Sequence, residues 1–200
     1  MFKEDNMKDT NSVKDNIINV TTEIIQQSTG DIKNITARAI AEKAGIGLGL
    51  INYHFKSKEN LITICVQRII EKVIAGFNIE KKYDSDKERL TAWAIYVFDF
   101  LYDNNAISRI SILGDLQSYT ASCNSVHTQK GFMMALTKDI NDKDKPFLAF
   151  ILTSAMQTAF LSGSVIKDTL GYDFEKKTDR AAFIERLITV LFENNKVEVS

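Results

Sequence analysis

An all-α fold is what this sequence predicts, on three observations. The 200-residue chain contains a single proline, Pro146. Apolar residues recur at spacings of three and four almost throughout, which is the helical period. Alternating apolar and polar runs of the kind that form half-buried strands do not occur in it. About nine helices are expected, three in a small head and the rest in a larger body.

The elements follow in order. Residues 1–11 are polar and are expected to form a flexible tail. The first helix runs from about Ser12 to Ser28, burying Val13, Ile17, Val20, Ile24 and Ile25, and Gly30 stops it. Thr36 is a good N-cap for a short second helix, Ala37 to Ala44. A turn at Gly45–Gly47 leads into a third, Leu48 to Phe55. Ser57 caps the fourth, which continues to about Phe77 and carries a wide apolar face from Leu61 through Val73. "NIEKKYDSD", from Asn78, is a polar break. The fifth helix covers about Asp86 to Tyr102, the sixth Ala106 to Tyr119 and the seventh Ser125 to Ile140. Pro146 opens the eighth, a favoured place for proline, and Gly171 follows its end. The ninth runs from about Thr178 to Phe192.

Composition sets limits. The net charge is −1, so any attraction to nucleic acid must come from a local patch. Cys65 and Cys123 lack metal-ligand spacing and fit structural thiols in a reducing cytosol. The N-terminus "MFKEDNMKDT" has no apolar signal region, so a cytoplasmic location is expected. No metal and no cofactor is expected. Phe147 to Ile166 is free of charge and long enough to span a bilayer. It also carries Thr153, Ser154, Gln157, Thr158, Ser162 and Ser164, and no basic cluster anchors its far end. A helix buried in protein is the better reading. A monomer this size rarely buries so long a helix completely, which points to a subunit interface.

The stretch "AGIGLGLINYHFKSKENL", Ala44 to Leu61, departs from the rest of the chain. Gly45 stands where the second helix must end and the chain reverse, and a left-handed backbone there costs glycine little. Ala41, four residues earlier, lets the next helix approach closely. Ile40, Ile46, Ile51 and Phe55 fill the corner. This is the packing signature of a helix-turn-helix. Ile51 and Phe55 point inward, so Leu48, Gly49, Asn52 and Tyr53 point mostly outward, with Leu50 near the edge. Such a face is poor design for solvent and sensible design for DNA. Asn can pair with adenine in the major groove, and aliphatic groups can meet thymine methyls. Gly49 permits close approach. Lys33, Arg38, Lys43, Lys56 and Lys58 crowd one region and offer a phosphate-binding footprint.

"ITARAIAEKAGIGLGLINYHFKSKENL", Ile35 to Leu61, resembles the N-terminal signature of the TetR family of transcriptional regulators. The specific part of the likeness covers about Val13 to Leu61. The resemblance implies a DNA-binding domain over residues 12–60 and a helical ligand-binding and dimerisation domain over 61–200. It implies that Thr36 meets a phosphate and that Leu48, Gly49, Leu50 and Asn52 face the bases. Tyr53 and His54 would contact the backbone, and Lys58 a phosphate. Many members carry Ser or Thr where Gly47 stands, which implies a weaker cap for the third helix here. Many carry Tyr where Asn52 stands, so base reading at that position does not transfer.

The family further implies a homodimer, built by the eighth and ninth helices of each subunit, that binds a palindromic double-stranded operator. The charge-free eighth helix and the apolar ninth suit that independently; Phe150, Ser154, Phe183, Leu187 and Leu191 are the interface candidates. Repression relieved by a small-molecule effector is the implied function. Trp93, Tyr96, Phe100, Phe132, Met133 and Met156 either line a ligand cavity or form plain core. Gln157, an amide in a charge-free helix, needs a partner: a dimer mate, a backbone group or a ligand. A DNA-binding regulator without a small-molecule inducer, or one that activates, is the alternative. An all-helical enzyme is the remote one: metal-ligand spacing, a nucleophile–base pair and a phosphate loop are all missing, and Asp99, Asp103 and Asp115 form no recognisable dyad.

Overall fold

The computed structural model of the chain describes residues 2–76 and 82–193, the side chains of 2–11 and 74–76 excepted. Among the described residues are ten α-helices, a 3-10 turn at Ile32–Asn34 and no strand. The helices are α1 (Phe2–Gln26), α2 (Ala37–Ala44), α3 (Leu48–Phe55), α4 (Lys58–Gly76), α5 (Asp86–Asp103), α6 (Asn105–Gln117), α7 (Asn124–Met134), α8 (Lys145–Leu161), α9 (Gly163–Leu170) and α10 (Lys177–Glu193). They fall into two compact units. The first is Met1–Ile74 with Asn104–Leu113; the second is Ala75–Asp103 with Gly114–Ser200.

The first unit closes around one apolar core. Ile17, Ile18 and Ile25 of α1 meet Ile40 and Ala41 of α2, Ile51 and Phe55 of α3, and Leu61, Ile62, Cys65 and Val66 of α4. Ile107 and Ile110 of α6 complete it. The helix starts follow cap chemistry. Thr36 Oγ1 accepts from the Ala39 N–H, and Ser57 Oγ accepts from the Asn60 N–H, each at 3.1 Å. Burial pushes the Cys65 thiol up to about 11, so it stays protonated at neutral pH.

The second unit packs α10 and α8 against α5, and α7 against α8. Phe98, Phe174 and Phe183 make a triangle of rings with centroids 5.1–5.7 Å apart. Arg180 is buried beside it. Its Nε donates to Asp99 Oδ1 at 2.5 Å and its Nη1 to the Phe174 carbonyl at 2.7 Å, with the guanidinium over the Tyr102 ring. Burial pushes the Tyr102 hydroxyl up to about 12.

Several boundaries differ from the expectation. α1 reaches back to Phe2 and takes in the stretch expected as a tail. The helix expected from Pro146 to near Gly171 is two, α8 and α9, bent by 101°; that break makes ten helices of the expected nine. Ser162, Gly163 and Ser164 stand at the break, where side chains lend a helix little support. The seventh helix stops at Met134, short of Ile140. The reason is Asp86, whose carboxylate accepts from the backbone N–H groups of Thr137, Lys138 and Asp139. Those N–H groups are therefore withdrawn from helical pairing. The end expected for the fourth helix, Phe77, and part of the polar break from Asn78 lie outside the described residues. Among the described residues no single helix is long and apolar enough to cross a membrane.

Candidate nucleic-acid interface

The turn between α2 and α3 has the geometry its glycine calls for. Gly45 sits at φ 67°, ψ 34°, left-handed, and its N–H and that of Ile46 fold back onto carbonyls of the last turn of α2. This fixes α3 across α2 with Ile40, Ala41, Ile51 and Phe55 buried between them.

The outward face of α3 is the consequence. Leu48, Gly49, Leu50, Asn52 and Tyr53 are all exposed, Tyr53 to 77%. Side chains this apolar, left open in one run, are unusual on a surface that meets only water. A Cβ added at Gly49 would meet nothing within 4 Å. Its bareness therefore serves no packing inside the unit and leaves backbone open to whatever the face meets. His54 is half-buried, its ring edge-to-face with Tyr53 at 4.9 Å.

The ends of α3 are unusual. Gly47 occupies the N-cap with no side-chain hydrogen bond to the helix. Lys56 follows the helix at φ 67°, the one non-glycine residue with positive φ among those described. The Ser57 N–H reaches back over Lys56 to the Phe55 carbonyl at 2.8 Å, closing a γ-turn of the rare, strained kind.

The flanking polar groups lie at different degrees of readiness. Thr36 is exposed at the N-cap of α2, its oxygen already accepting from Ala39, which leaves its proton to donate. Lys33, Arg38 and Lys56 are exposed, and Lys43 pairs with Glu23 at 3.1 Å. Lys58 is more enclosed than expected. Its Nζ donates to the Ile32 carbonyl at 3.1 Å and lies 3.5 Å from Glu59. Any phosphate must compete with those contacts.

In the second unit, Phe132, Met156 and Gln157 line a cavity of about 30 Å³ together with Val97, Leu101, Thr128 and Thr153. Trp93, Tyr96, Phe100 and Met133 lie outside that lining; the Trp93 ring covers Gly131, where an added Cβ would come within 3.3 Å of it. Gln157 has a partner in its own chain. Its Nε2 donates to Ser125 Oγ at 2.7 Å, and Ser125 Oγ and N–H both donate to Asp115 Oδ2. Sequence reasoning missed this chain, since Asp115 and Ser125 lie on either side of an unremarkable polar turn. Of the interface candidates, Phe150 is 52% exposed, Ser154, Phe183 and Leu187 are half-buried, and Leu191 is buried within the unit. Phe147, beside Phe150 on α8, is 65% exposed. Among the described residues no cluster of His, Cys, Asp or Glu could hold a metal ion.

Residues 17–63 match the family model described as bacterial regulatory proteins, tetR family. Over 77 residues the chain is 34% identical to HTH-type transcriptional regulators of Staphylococcus aureus strains bovine RF122/ET3-1 and USA300. The match covers 38% of this chain and 42% of those relatives, so less than half of their length is matched. Among solved structures, a TetR transcriptional regulator from Rhodococcus sp. RHA1 superposes with a TM-score of 0.66 at 15% identity, over 95% of this chain and 99% of its own. Another transcriptional regulator from the same organism gives 0.66 at 11% identity, over 92% and 98%. At such identities the likeness is one of fold.

Proposed function

We propose, since this chain belongs through its N-terminal domain to the tetR family of bacterial regulatory proteins, that it is a cytoplasmic transcriptional regulator that binds a palindromic operator as a homodimer and is released by a small molecule. The exposed face of α3, held across α2 by the Gly45 turn, is the observation that carries the reading. Asn52 and the two leucines offer a hydrogen-bonding and methyl-contacting edge to a major groove. Thr36, Tyr53, His54 and the lysines around them supply backbone contacts, which position the helix without reading sequence.

The dimer reading is supported by α8. Phe147 and Phe150 stand exposed on it, with half-buried Ser154 one turn further along the same helix. Apolar rings in one exposed patch suit a second copy of the chain, and two copies present two α3 helices to successive grooves. The half-exposure of Phe150 makes it a cleaner probe than Leu187, because a charge there need not disturb the chain's own core.

The test is selection from a random duplex pool, followed by the stoichiometry of the selected complex. A palindrome bound by two chains is expected. Phe150→Glu should leave helix content intact and abolish both the dimer and palindrome binding. Enrichment of no sequence, or wild-type chains that stay monomeric on the DNA, would contradict the reading.

A further inference from the structure

Thr153 lies on α8, is 2% exposed, and its Oγ1 meets no hydrogen-bond partner. A buried hydroxyl without a partner is destabilising by its lost hydration. It persists where something else requires it. Thr153 lines the cavity of the second unit, and so does Gln157. The two residues stand one helical turn apart on one face of α8.

The cavity's chemistry narrows what fits. Its walls are Val97, Leu101, Phe132 and Met156, with polar atoms only from Thr128, Thr153 and Gln157. A carboxylate or an ammonium group would lose its hydration there and meet no opposite charge. A hydroxyl or carbonyl would meet the Thr153 hydroxyl. The present volume, about 30 Å³, is small, with room for about one water. Met156, with three rotatable bonds, is the wall most able to give way.

We infer that this cavity is the contracted form of a site for a neutral, mainly apolar molecule bearing one hydroxyl or carbonyl group, with Thr153 as its polar anchor and Gln157 as the residue that registers it. The inference rests on the ligand-released regulator proposed above. Gln157 can register the molecule because its amide holds Ser125, which holds Asp115 of α6. Ile107 and Ile110 of the same helix lie in the core of the first unit. A molecule that takes the Gln157 amide removes the first link of that chain.

Benzyl alcohol, benzoate and benzylammonium share one ring and differ in charge, which makes them the probes. Calorimetric titration and thermal melting of the full chain, wild type, Thr153→Val and Thr153→Ser, form the test. Benzyl alcohol is expected to bind wild type and Thr153→Ser, with benzoate and benzylammonium at least tenfold weaker. Thr153→Val should melt about 2–4 °C above wild type, because it removes an unsatisfied hydroxyl. It should also bind benzyl alcohol at least tenfold more weakly. Equal binding by wild type and Thr153→Val, or benzoate binding as well as the alcohol, would overturn the inference. A Thr153→Val protein that melts below wild type, with no probe bound by either, would assign the hydroxyl to an ordered water and overturn it too. Benzyl alcohol bound in this manner without any effect on operator binding would support the site while removing the induced-release reading.

Discussion

At the scale of single residues, both ends of α3 carry the side chain that stability would not choose. Gly47 holds the N-cap at φ −72°, ψ 141°, where any residue fits, and an added Cβ would meet nothing within 4 Å. Serine there would accept from an N–H of the first turn and restrict the unfolded chain. Lys56 holds φ 67°, where glycine would sit without strain. Gly47→Ser is therefore expected to raise stability by about 0.5–1 kcal/mol. Lys56→Gly should add about 1 kcal/mol, the relieved strain less the entropy that glycine loses on folding. Chemical denaturation of the two variants checks both; a loss of stability in either would contradict the local account. The sequence made the first of these visible, because Gly47 stands where a capping side chain is usual. The second was not visible, because nothing in "HFKSK" announces a positive φ.

At the scale of elements, apolar period and caps made most of the fold legible. The bounds of α2 and α3 match the expectation residue for residue; Thr36 and Gly45 mark those of α2 through local chemistry, and Ser57 marks the start of α4. At the end of the seventh helix, where the expectation failed, the deciding contact was distant. The end of α7 is set by Asp86, fifty-one residues before Thr137. Periodicity cannot show a carboxylate that takes three N–H groups from across the unit. Burial raises the Asp86 carboxyl, but hydrogen bonds from Asp139, Lys138 and Thr137 outweigh it and hold the carboxyl below its ordinary 3.8. Its stabilising contribution is therefore present above that ordinary value and is lost as pH falls below it, through the lower folded value. Asp86→Asn should cost about 2–3 kcal/mol at neutral pH, since charge-assisted hydrogen bonds are lost and an amide N–H₂ faces other donors. It should also flatten the acid limb of stability, measured by thermal melting from pH 7 to pH 2. An unchanged acid limb would mean the carboxylate is not what ties this loop to α5.

At the scale of the molecule, the candidate sites were legible to different depths. The outward-facing residues of α3 are readable because a helix-turn-helix compresses turn, core and outward face into about twenty consecutive residues. The cavity is not readable in that way: its lining comes from α5, α7 and α8, and only packing decides which aromatic rings reach it. Trp93 and Phe132 look alike as large apolar residues at helical spacing, yet only Phe132 lines the cavity. Sequence reading by α3 is measured by the affinity of wild type and Asn52→Ala for the selected operator and for a random duplex of equal length, at one salt concentration. Asn52→Ala is expected to lose about 1–3 kcal/mol on the operator and clearly less on the random duplex. Equal losses on both duplexes, or no loss on either, would contradict sequence reading by α3.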